Sequence, residues 1–362
     1  MKTAIVILNW NTRDYLERFL PPLLESTKGL DASVTVADNG SDDGSAELLR
    51  TRFPDVRTIL FDRNHGFTGG YDMALSQVES EYYVLLNSDI EVPPHWLEPL
   101  VEWMDSHPDC GACGPKLLSY GHRDMFEYAG AAGGLLDAMG YPFCRGRIPG
   151  MVEKDAGQYD SPAPVLWVSG ACLMVRSSVF RALGGLDDRF FAHMEEIDLC
   201  WRMQLRGWKV WVVPSSKVYH IGGGTLPQTS PWKLKLNFRN NLLMLQNNLP
   251  STIALALLKD GHKAQEAARL GIRKATRLIF RRKILDGLAC CVYICTGRWS
   301  LVKAVADAHR EFSSLGRTPS AQEVENLLVE CPGAVVHGLY GGWIIPGAVF
   351  RRKKTLKTIR SL

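Results

Sequence analysis

The first 120 residues of this 362-residue chain alternate short β-branched runs with helical patterns. Such alternation is typical of a parallel sheet covered by helices on both faces, which is an α/β fold. The candidate strands are residues 3–8, 33–38, 57–61, 82–87 and 111–117, and the candidate helices are residues 13–26, 43–51, 67–79 and 94–106. Ligands of such sheets bind beyond the carboxyl ends of the strands, so polar residues at those ends are the first candidates for a functional site.

Polar side chains lie at or just beyond the carboxyl ends of several of these predicted strands. They are Asn9 and Asn11, Asp38 and Asn39, Asn64, and the run Asn87-Ser88-Asp89. Residues two apart in an extended segment point the same way, so Asn87 and Asp89 could face one ion or one sugar together. Oxygen ligands suit Mg²⁺ or Mn²⁺, which also bind phosphates. A simple turn cap is the alternative interpretation of this run.

A glycine-rich turn opens the third predicted helix. It contains Asn64, Gly66 and Phe67 and ends in Gly69-Gly70. Its backbone N–H groups could hold a phosphate at the helix N-terminus. The turn matches neither the dinucleotide fingerprint nor the P-loop, which disfavours dinucleotide and ATP binding.

Three carboxylates lie within four positions at Glu195, Glu196 and Asp198, and the aromatic pair Phe190-Phe191 precedes them by three intervening residues. Crowded acids raise one another's pKa, so the cluster is a candidate general base near a metal or an anionic substrate. An acidic first helical turn, favoured by the helix dipole, is the alternative. His220 follows a predicted strand at 209–213 and precedes three glycines; beside a carboxylate ion site it is a candidate ligand, otherwise a structural histidine.

The remaining segments predict a less regular architecture. Residues 120–163 are Gly-rich and lack a clear period, which indicates a surface excursion. Regular signals return at residues 165–168 and 172–175, and a helix is expected over 232–248, ending at Pro250. We therefore divide the chain into a catalytic domain, 1–248, and a basic, mostly helical C-terminal region, 249–362.

Charge is distributed unevenly along the chain. Residues 251–362 hold 19 Lys and Arg against 8 Asp and Glu, a net charge of +11, whereas the whole chain carries +4. Basic residues 281–283 precede an apolar stretch at 284–295, and Trp343-Ile344-Ile345 precedes basic residues 351–354. Cationic residues beside Trp and aliphatic residues suit a peripheral membrane anchor, with a solvated helical bundle as the alternative. Nucleic acid is not expected as a partner, because no binding motif is present and the remaining chain is acidic.

The nine cysteines are odd in number and show no disulfide-framework spacing. This indicates a reducing compartment, and Cys110 and Cys113 are expected to be buried strand thiols. The cysteine pattern and the basic C-terminal region together predict a cytoplasmic protein at the inner face of the cell membrane.

Taken in order, the motifs resemble the inverting family 2 glycosyltransferases of GT-A fold, and most of all their bacterial rhamnosyltransferase-like branch. The resemblance covers residues 1–248 and rests on the following segments: Ile5-Val6-Ile7-Leu8-Asn9-Trp10-Asn11, Asp38-Asn39-Gly40-Ser41, Asn64-His65-Gly66-Phe67, Leu85-Leu86-Asn87-Ser88-Asp89, Ser169-Gly170-Ala171-Cys172-Leu173-Met174, Gly184 through Arg202, His220, and Arg239-Asn240-Asn241. It implies a Rossmann-like, mostly parallel sheet flanked by helices, with a C-terminal helical extension.

The resemblance also implies roles for individual residues. Asp89 would bind Mg²⁺ or Mn²⁺ with help from His220, and Glu196, or else Glu195, would be the catalytic base. Asp38 would contact the base or ribose of a dTDP-, UDP- or GDP-linked sugar. The other residues expected at the donor or acceptor are Asn9, Asn11, Asn39, Asn64, Gly66, Phe67, Asn87, Ser88, Gly170 and Arg202, with Trp167 as a candidate to stack on a sugar.

The implied function is transfer of a sugar to a hydroxyl of a glycan or polyprenyl-linked acceptor in cell-surface polysaccharide synthesis. Two departures from the family pattern bear on it: Asn87 stands at the first position of the metal motif, and Glu196 stands where Asp is usual. They leave open a sugar-nucleotide-binding scaffold without catalytic activity. A nucleotidyltransferase is disfavoured because Asn9-Trp10-Asn11-Thr12 contains no basic, glycine-rich triphosphate loop.

Overall fold

The computed structural model describes residues 1–222 and 230–350. The strands in these ranges are β1 (Thr3–Asn9), β2 (Ala32–Asp38), β3 (Arg57–Leu60), β4 (Tyr82–Leu86), β5 (Ile90–Glu91), β6 (Cys110–Ser119), β7 (Gly134–Asp137), β8 (Pro142–Cys144), β9 (Arg147–Ile148), β10 (Met151–Val152), β11 (Ala163–Pro164), β12 (Cys172–Arg176), β13 (Lys209–His220) and β14 (Leu339–Tyr340).

The helices in the same ranges are α1 (Arg13–Ser26), α2 (Ser45–Arg52), α3 (Gly66–Leu75), α4 (Glu98–Ser106), α5 (Ser177–Ala182), α6 (Glu195–Leu205), α7 (Pro231–Lys259), α8 (Ala264–Cys295), α9 (Trp299–Leu315), α10 (Ala321–Glu330) and α11 (Ile344–Phe350). Within the described ranges, none of these helices combines the length and apolar character that crossing a bilayer requires.

A nine-stranded sheet forms the centre of the molecule, in the order β11-β13-β6-β12-β4-β1-β2-β3, with β5 paired to β13. β1 pairs in parallel with β2 and β4, and β2 pairs in parallel with β3, whereas β12 is antiparallel to both of its neighbours. The predicted α/β class, with a large central sheet flanked by helices, is therefore confirmed; four of the eight strand pairings described in this sheet are parallel and four are antiparallel. Cys110 and Cys113 lie buried in β6, as predicted.

The local sequence explains why the predicted elements form. Side chains on both faces of β1 are buried, which suits an apolar run covered by helices on either side. Helix α1 buries Leu16, Phe19, Leu20 and Leu23, which recur at the three- and four-residue spacing of one helix face. Strand–helix alternation thus places the carboxyl ends of β1, β2 and β4 side by side.

Two expectations for the middle of the chain are wrong. Residues 120–163 are not a surface excursion; they supply four strands of a second sheet, ordered β10-β9-β8-β7-β14, and bury Phe126 and Phe143 completely or nearly so. Residues 165–168 form no strand apart from one bridge, between Trp167 and Gly134. The short strands of the second sheet are buried between other elements, so they show no two-residue alternation that sequence reasoning could detect.

Two other elements extend beyond their predicted ends. The strand expected at 209–213 continues to His220, so this residue ends the strand rather than following it. Helix α7 continues through Pro250 to Lys259. Helix α8 packs closely against α7 at this proline, since a Cβ on Gly271 of α8 would lie 2.5 Å from the Pro250 carbonyl oxygen. The proposed division at residue 248 falls inside α7 and stays a prediction.

The C-terminal region packs onto the rest of the fold. Its strand β14 pairs in parallel with β7, and Ile344 is fully buried with its N–H donating to Asp137. Of the predicted anchor Trp343-Ile344-Ile345, the central residue is therefore core. The basic residues 351–354 lie outside the described residues.

Candidate active site

A cavity of about 1150 Å³ opens at the carboxyl ends of β1 and β4 and extends toward the second sheet and helices α6, α7 and α8. Most of the predicted site residues line it: Asn39, Asn64, Gly66, Phe67, Asn87, Ser88, Asp89, Trp167, Gly170, Glu195, Glu196 and His220. Asn9, Asn11, Asp38 and Arg202 do not line it. Residues from distant parts of the sequence thus converge on one cavity.

Asp38 and Asn9 belong to a hydrogen-bond chain behind the cavity wall. Asn9 Nδ2 donates to Asp38 Oδ2 at 2.8 Å, and Thr12 Oγ1 donates to Asn9 Oδ1. Ser88 Oγ lies 2.7 Å from Thr12 Oγ1 and must be the donor there, because the Thr12 hydroxyl proton is already used. The chain joins the ends of three neighbouring strands and holds the Asn87–Asp89 turn in place.

Asn11 and Arg202 make structural contacts. Asn11 has φ +53° and its side-chain oxygen accepts from the Asp42 N–H. Arg202 pairs with Asp198 at 2.6 Å and donates to two carbonyl groups of the 183–185 turn. Trp10, which the sequence did not single out, lines the cavity between Asn9 and Asn11.

The backbone N–H groups at the start of α3 are occupied, so the predicted phosphate cradle is not present. Gly66 N–H donates to Asn64 Oδ1, and the N–H groups of Phe67 and Thr68 both donate to the Phe191 carbonyl oxygen. Gly66 has φ +76°, and a Cβ there would lie 2.5 Å from the Phe191 ring. The glycine therefore permits a close contact between two cavity walls.

Asp89 and His220 come together, as the resemblance implied, in an ion pair with Glu127. His220 Nε2 lies 3.2 Å from Asp89 Oδ1, and His220 Nδ1 lies 3.5 Å from Glu127 Oε1. Burial alone would lower the pKa of His220, but the two carboxylates raise it to about 10. Burial opposes ionisation of Asp89, yet the bond and charge of His220 keep its pKa below the ordinary value.

The turn that carries Asp89 fits a divalent ion that is held partly by substrate. The described residues contain no group of three or more His, Cys, Asp or Glu side chains arranged to hold a metal. Mg²⁺ commonly takes only one or two carboxylates and completes its shell with waters and substrate phosphates. Asn87 and Asp89 both line the cavity, although a turn and not an extended strand brings them there.

Glu195 and Glu196 begin α6 at the cavity wall, and one carboxylate oxygen of each is buried without a hydrogen-bond partner. Burial raises the pKa of Glu196 to about 7, against hydrogen bonds from backbone N–H groups that include Gly170. Burial, and next the charge of Glu196, raise the pKa of Glu195 well above its usual range. Near neutral pH the pair therefore combines a protonated Glu195 with a Glu196 poised to accept a proton.

The loop at residues 191–194 positions these glutamates. Phe191, His193 and Met194 all have positive φ, which costs about 1–3 kcal/mol per non-glycine residue. Asn240 Nδ2 lies within 3.0 Å of the carbonyl oxygens of Phe190, Ala192 and His193, at 2.9, 2.7 and 2.7 Å. Arg239 also donates to the Phe190 carbonyl oxygen, so Arg239 and Asn240 of the Arg239-Asn240-Asn241 motif hold this strained loop in place.

Replacing Asn240 by alanine is expected to lower the free energy of unfolding by about 2–3 kcal/mol, because buried carbonyl groups lose their donor. Urea unfolding followed by circular dichroism measures the change. The matched control is Asn326→Ala on the surface of α10, expected to shift stability by less than about 0.5 kcal/mol. Equal urea midpoints for the two variants would show that Asn240 does not hold the loop.

Several cavity residues escaped sequence reasoning. They are Trp10, Glu127, Arg147, His193, Lys233 and Arg282. Glu127 and Arg147 lie in the Gly-rich segment without a period, and Arg282 was assigned to a membrane-facing patch although it is buried. No local signal distinguishes these residues, because their elements approach the cavity only through tertiary packing.

Comparison with known proteins agrees with this geometry. The model of glycosyl transferase family 2 matches residues 4–183. The chain is 30% identical over 234 residues to the N-acetylglucosaminyl-diphospho-decaprenol L-rhamnosyltransferase of Mycobacterium tuberculosis, covering 60% of this chain and 75% of that protein. The chain belongs to glycosyl transferase family 2. A second relative of this family 2 chain, the O-antigen biosynthesis protein RfbC of Myxococcus xanthus, is 28% identical over 223 residues, which are 60% of this chain and 17% of that protein.

A solved structure extends the comparison to the fold. GalNAc-T7 with UDP, GalNAc and Mn²⁺ superposes with a TM-score of 0.53 at 18% identity, over 67% of this chain. The chain spans 48% of the length of GalNAc-T7. The likeness shows that this family 2 chain has the GT-A fold predicted from its motifs.

Proposed function

We propose that this family 2 protein is an inverting, metal-dependent glycosyltransferase. It transfers a sugar from a dTDP-, UDP- or GDP-linked donor to a hydroxyl of a glycan or polyprenyl-linked acceptor in cell-surface polysaccharide synthesis. The observation that carries the proposal is that Asp89 and Glu196, far apart in the chain, line the same cavity. The likeness to a mycobacterial rhamnosyltransferase whose name specifies a diphospho-decaprenol substrate supports a polyprenyl-linked acceptor.

Each residue has a distinct task in this mechanism. Asp89, on the turn held by Ser88, would hold Mg²⁺ or Mn²⁺, which when bound offsets the charge that develops on the leaving diphosphate. Glu196 accepts the proton of the acceptor hydroxyl. At the same time the oxygen of that hydroxyl bonds to the anomeric carbon of the donor sugar, and the bond from that carbon to the diphosphate breaks. Attack from the side opposite the leaving group inverts the configuration. Glu195, protonated, keeps a second negative charge away from the base.

Screening nucleotide sugars for thermal stabilisation, with and without Mn²⁺, tests the proposal. A donor is expected to raise the melting temperature only when the metal is present, because binding to the folded state stabilises it. Incubation of that donor with lipid-linked acceptors should then give a product whose anomeric configuration, read by NMR, is inverted. Donor binding without transfer to any acceptor would favour the scaffold without catalytic activity; retained configuration would contradict the mechanism.

We also propose that α8 lies on an anionic membrane surface at the inner face of the cell membrane. Its outer face carries four exposed apolar side chains at four-residue spacing: Phe280 (64%), Ile284 (51%), Leu288 (57%) and Val292 (60%). Exposed Arg277 and Arg281 flank this face. A helix with an apolar stripe and adjacent cations suits insertion among anionic headgroups.

Flotation with phosphatidylglycerol-containing vesicles is expected to recover the intact chain at low salt. The double change Ile284→Glu and Leu288→Glu is expected to reduce binding by about 10-fold or more, since it puts two charges on the apolar stripe. Val329→Glu on α10, where the side chain is 68% exposed, is the matched control and should bind normally. Equal flotation of all three proteins would exclude α8 as the contact surface.

A further inference from the structure

The cavity carries positive groups that the donor site leaves unused. Asp89, Glu127 and the two glutamates supply its acidic groups from the main sheet, the 120–133 segment and α6. Besides His220, which is paired with Asp89 and Glu127, its positive groups are Arg147 on β9, Lys233 in the first turn of α7 and Arg282 in the middle of α8. We call these three residues the basic wall.

Arg147 is a buried cation with no counter-ion among the residues that the structure describes. It is 7% exposed, and no carboxylate of the described residues lies within salt-bridge distance of its guanidinium group. Nε donates to the Tyr128 carbonyl oxygen at 2.8 Å, and the guanidinium carbon lies 4.4 Å from the centre of the Tyr128 ring. Nη1 has no hydrogen-bond acceptor among residues 1–222 and 230–350. Burying an uncompensated charge is costly, so this position is suited to an anionic ligand.

Arg282 is oriented toward the same cavity by its neighbours. Nε donates to Asp286 Oδ1 at 2.9 Å, Nη1 donates to Asn241 Oδ1 at 2.7 Å, and the guanidinium carbon lies 3.8 Å from the centre of the Tyr141 ring. Nη2 has no acceptor within the described part of the chain. Two rigidly held guanidinium groups therefore each leave a charged N–H group available in one cavity, an arrangement that favours phosphate.

We propose that the basic wall binds the diphosphate of a lipid-linked acceptor. The inference rests on the proposed function, in which the donor diphosphate is held at Asp89 with a metal ion. A second anion-binding surface in the same cavity, made by arginines and not by a metal, suits the other phosphate-bearing substrate. Arg282 comes from the helix whose opposite face is the apolar stripe, and a helix is only about 10 Å across. An acceptor embedded beside α8 would thus have its phosphates close to the basic wall.

The test is calorimetric titration of farnesyl diphosphate into the full chain in metal-free buffer, where the donor site is not assembled. Farnesyl diphosphate is expected to bind, and farnesol, which lacks phosphate, is not. Arg147→Gln is expected to weaken binding by about 10- to 100-fold, because a charge-assisted hydrogen bond in a buried site is lost. Arg147→Lys, which keeps the charge, should recover part of the affinity.

Arg145→Gln is the matched control, because it removes the same charge from the same hairpin while its side chain stacks on Tyr159 and does not line the cavity. Its affinity should stay within about twofold of the wild type. Unchanged affinity in Arg147→Gln, or displacement of farnesyl diphosphate by a nucleoside diphosphate without metal, would overturn the inference. If no nucleotide sugar bound the wild type in the presence of Mn²⁺, that result would instead contradict the proposed function. Failure of the inference and failure of the proposed function are therefore distinguishable.

Discussion

Replacing Glu196 by glutamine is expected to reduce kcat by about 10²- to 10⁴-fold, the usual contribution of a general base. Glutamine keeps the shape of the side chain but cannot accept the proton of the acceptor hydroxyl. Mn²⁺-dependent donor binding should remain within about twofold of the wild type, because Glu196 does not touch Asp89 or its hydrogen-bond chain. Steady-state kinetics with donor titration by calorimetry separate the two quantities. Near-normal turnover in this variant would remove Glu196 as the base.

The pH dependence identifies which glutamate is the base. Only the ionised carboxylate accepts a proton, and burial raises the pKa of Glu196 to about 7. We therefore expect kcat/KM to fall about tenfold per pH unit below pH 7.

Glu195→Gln is the control for this assignment. It resembles the protonated Glu195 of the wild type, so activity should be retained. It removes no charge, because Glu195 is neutral in the wild type, so the acidic limb of the profile should stay near pH 7. Loss of activity in Glu195→Gln together with retention in Glu196→Gln would reverse the assignment.

Changing Asp89 to asparagine is expected to reduce kcat/KM by about 100-fold or more and to abolish the effect of Mn²⁺ on donor binding. The amide keeps the shape of the side chain but loses the negative charge that would hold the ion. The measurement is donor binding and turnover across a Mn²⁺ titration.

Glu127→Gln is the matched control, because it removes a carboxylate from the other side of the same His220 ring. One Glu127 oxygen lies 3.5 Å from His220 Nδ1 and the other accepts from the Ala129 N–H, and Glu127 has no part in the turn proposed to hold the ion. This variant should retain its Mn²⁺ response. If both variants lose it equally, the ion-pair cluster as a whole, and not Asp89, is responsible.

The order of strands and helices in the first 120 residues could be predicted from the sequence because each element has its own hydrophobic periodicity. The apolar run of β1 and the single buried face of α1 are local patterns, and neighbouring parallel strands necessarily bring their carboxyl ends together. The expected roles of Asp89 and Glu196, and the inclusion of Gly170, came instead from the resemblance of the ordered motifs to the family. Second-sheet residues such as Arg147 carried no comparable signal, since strands of two to four residues are too short to show a period.

Only tertiary contacts distinguish the roles of residues of the same chemical type. Asp38 ends strand β2 and Asp89 follows strand β4, but Asp38 accepts from Asn9 and the Ser41 N–H behind the wall, whereas Asp89 faces the cavity. Arg281 and Arg282 are adjacent in the sequence, yet one is exposed and the other reaches Asn241 inside the fold.

The sequence by itself determined the fold class and the position of the site at the sheet edge, because periodicity and strand order act through neighbouring residues, and its motifs, taken in order, carried the resemblance to the family. Only the tertiary structure decided which polar side chains face the cavity and which make hydrogen bonds to other protein groups behind the cavity wall. That choice depends on hydrogen-bond partners and helix faces contributed by segments far away in the chain, such as α7 and α8, and no local pattern encodes them.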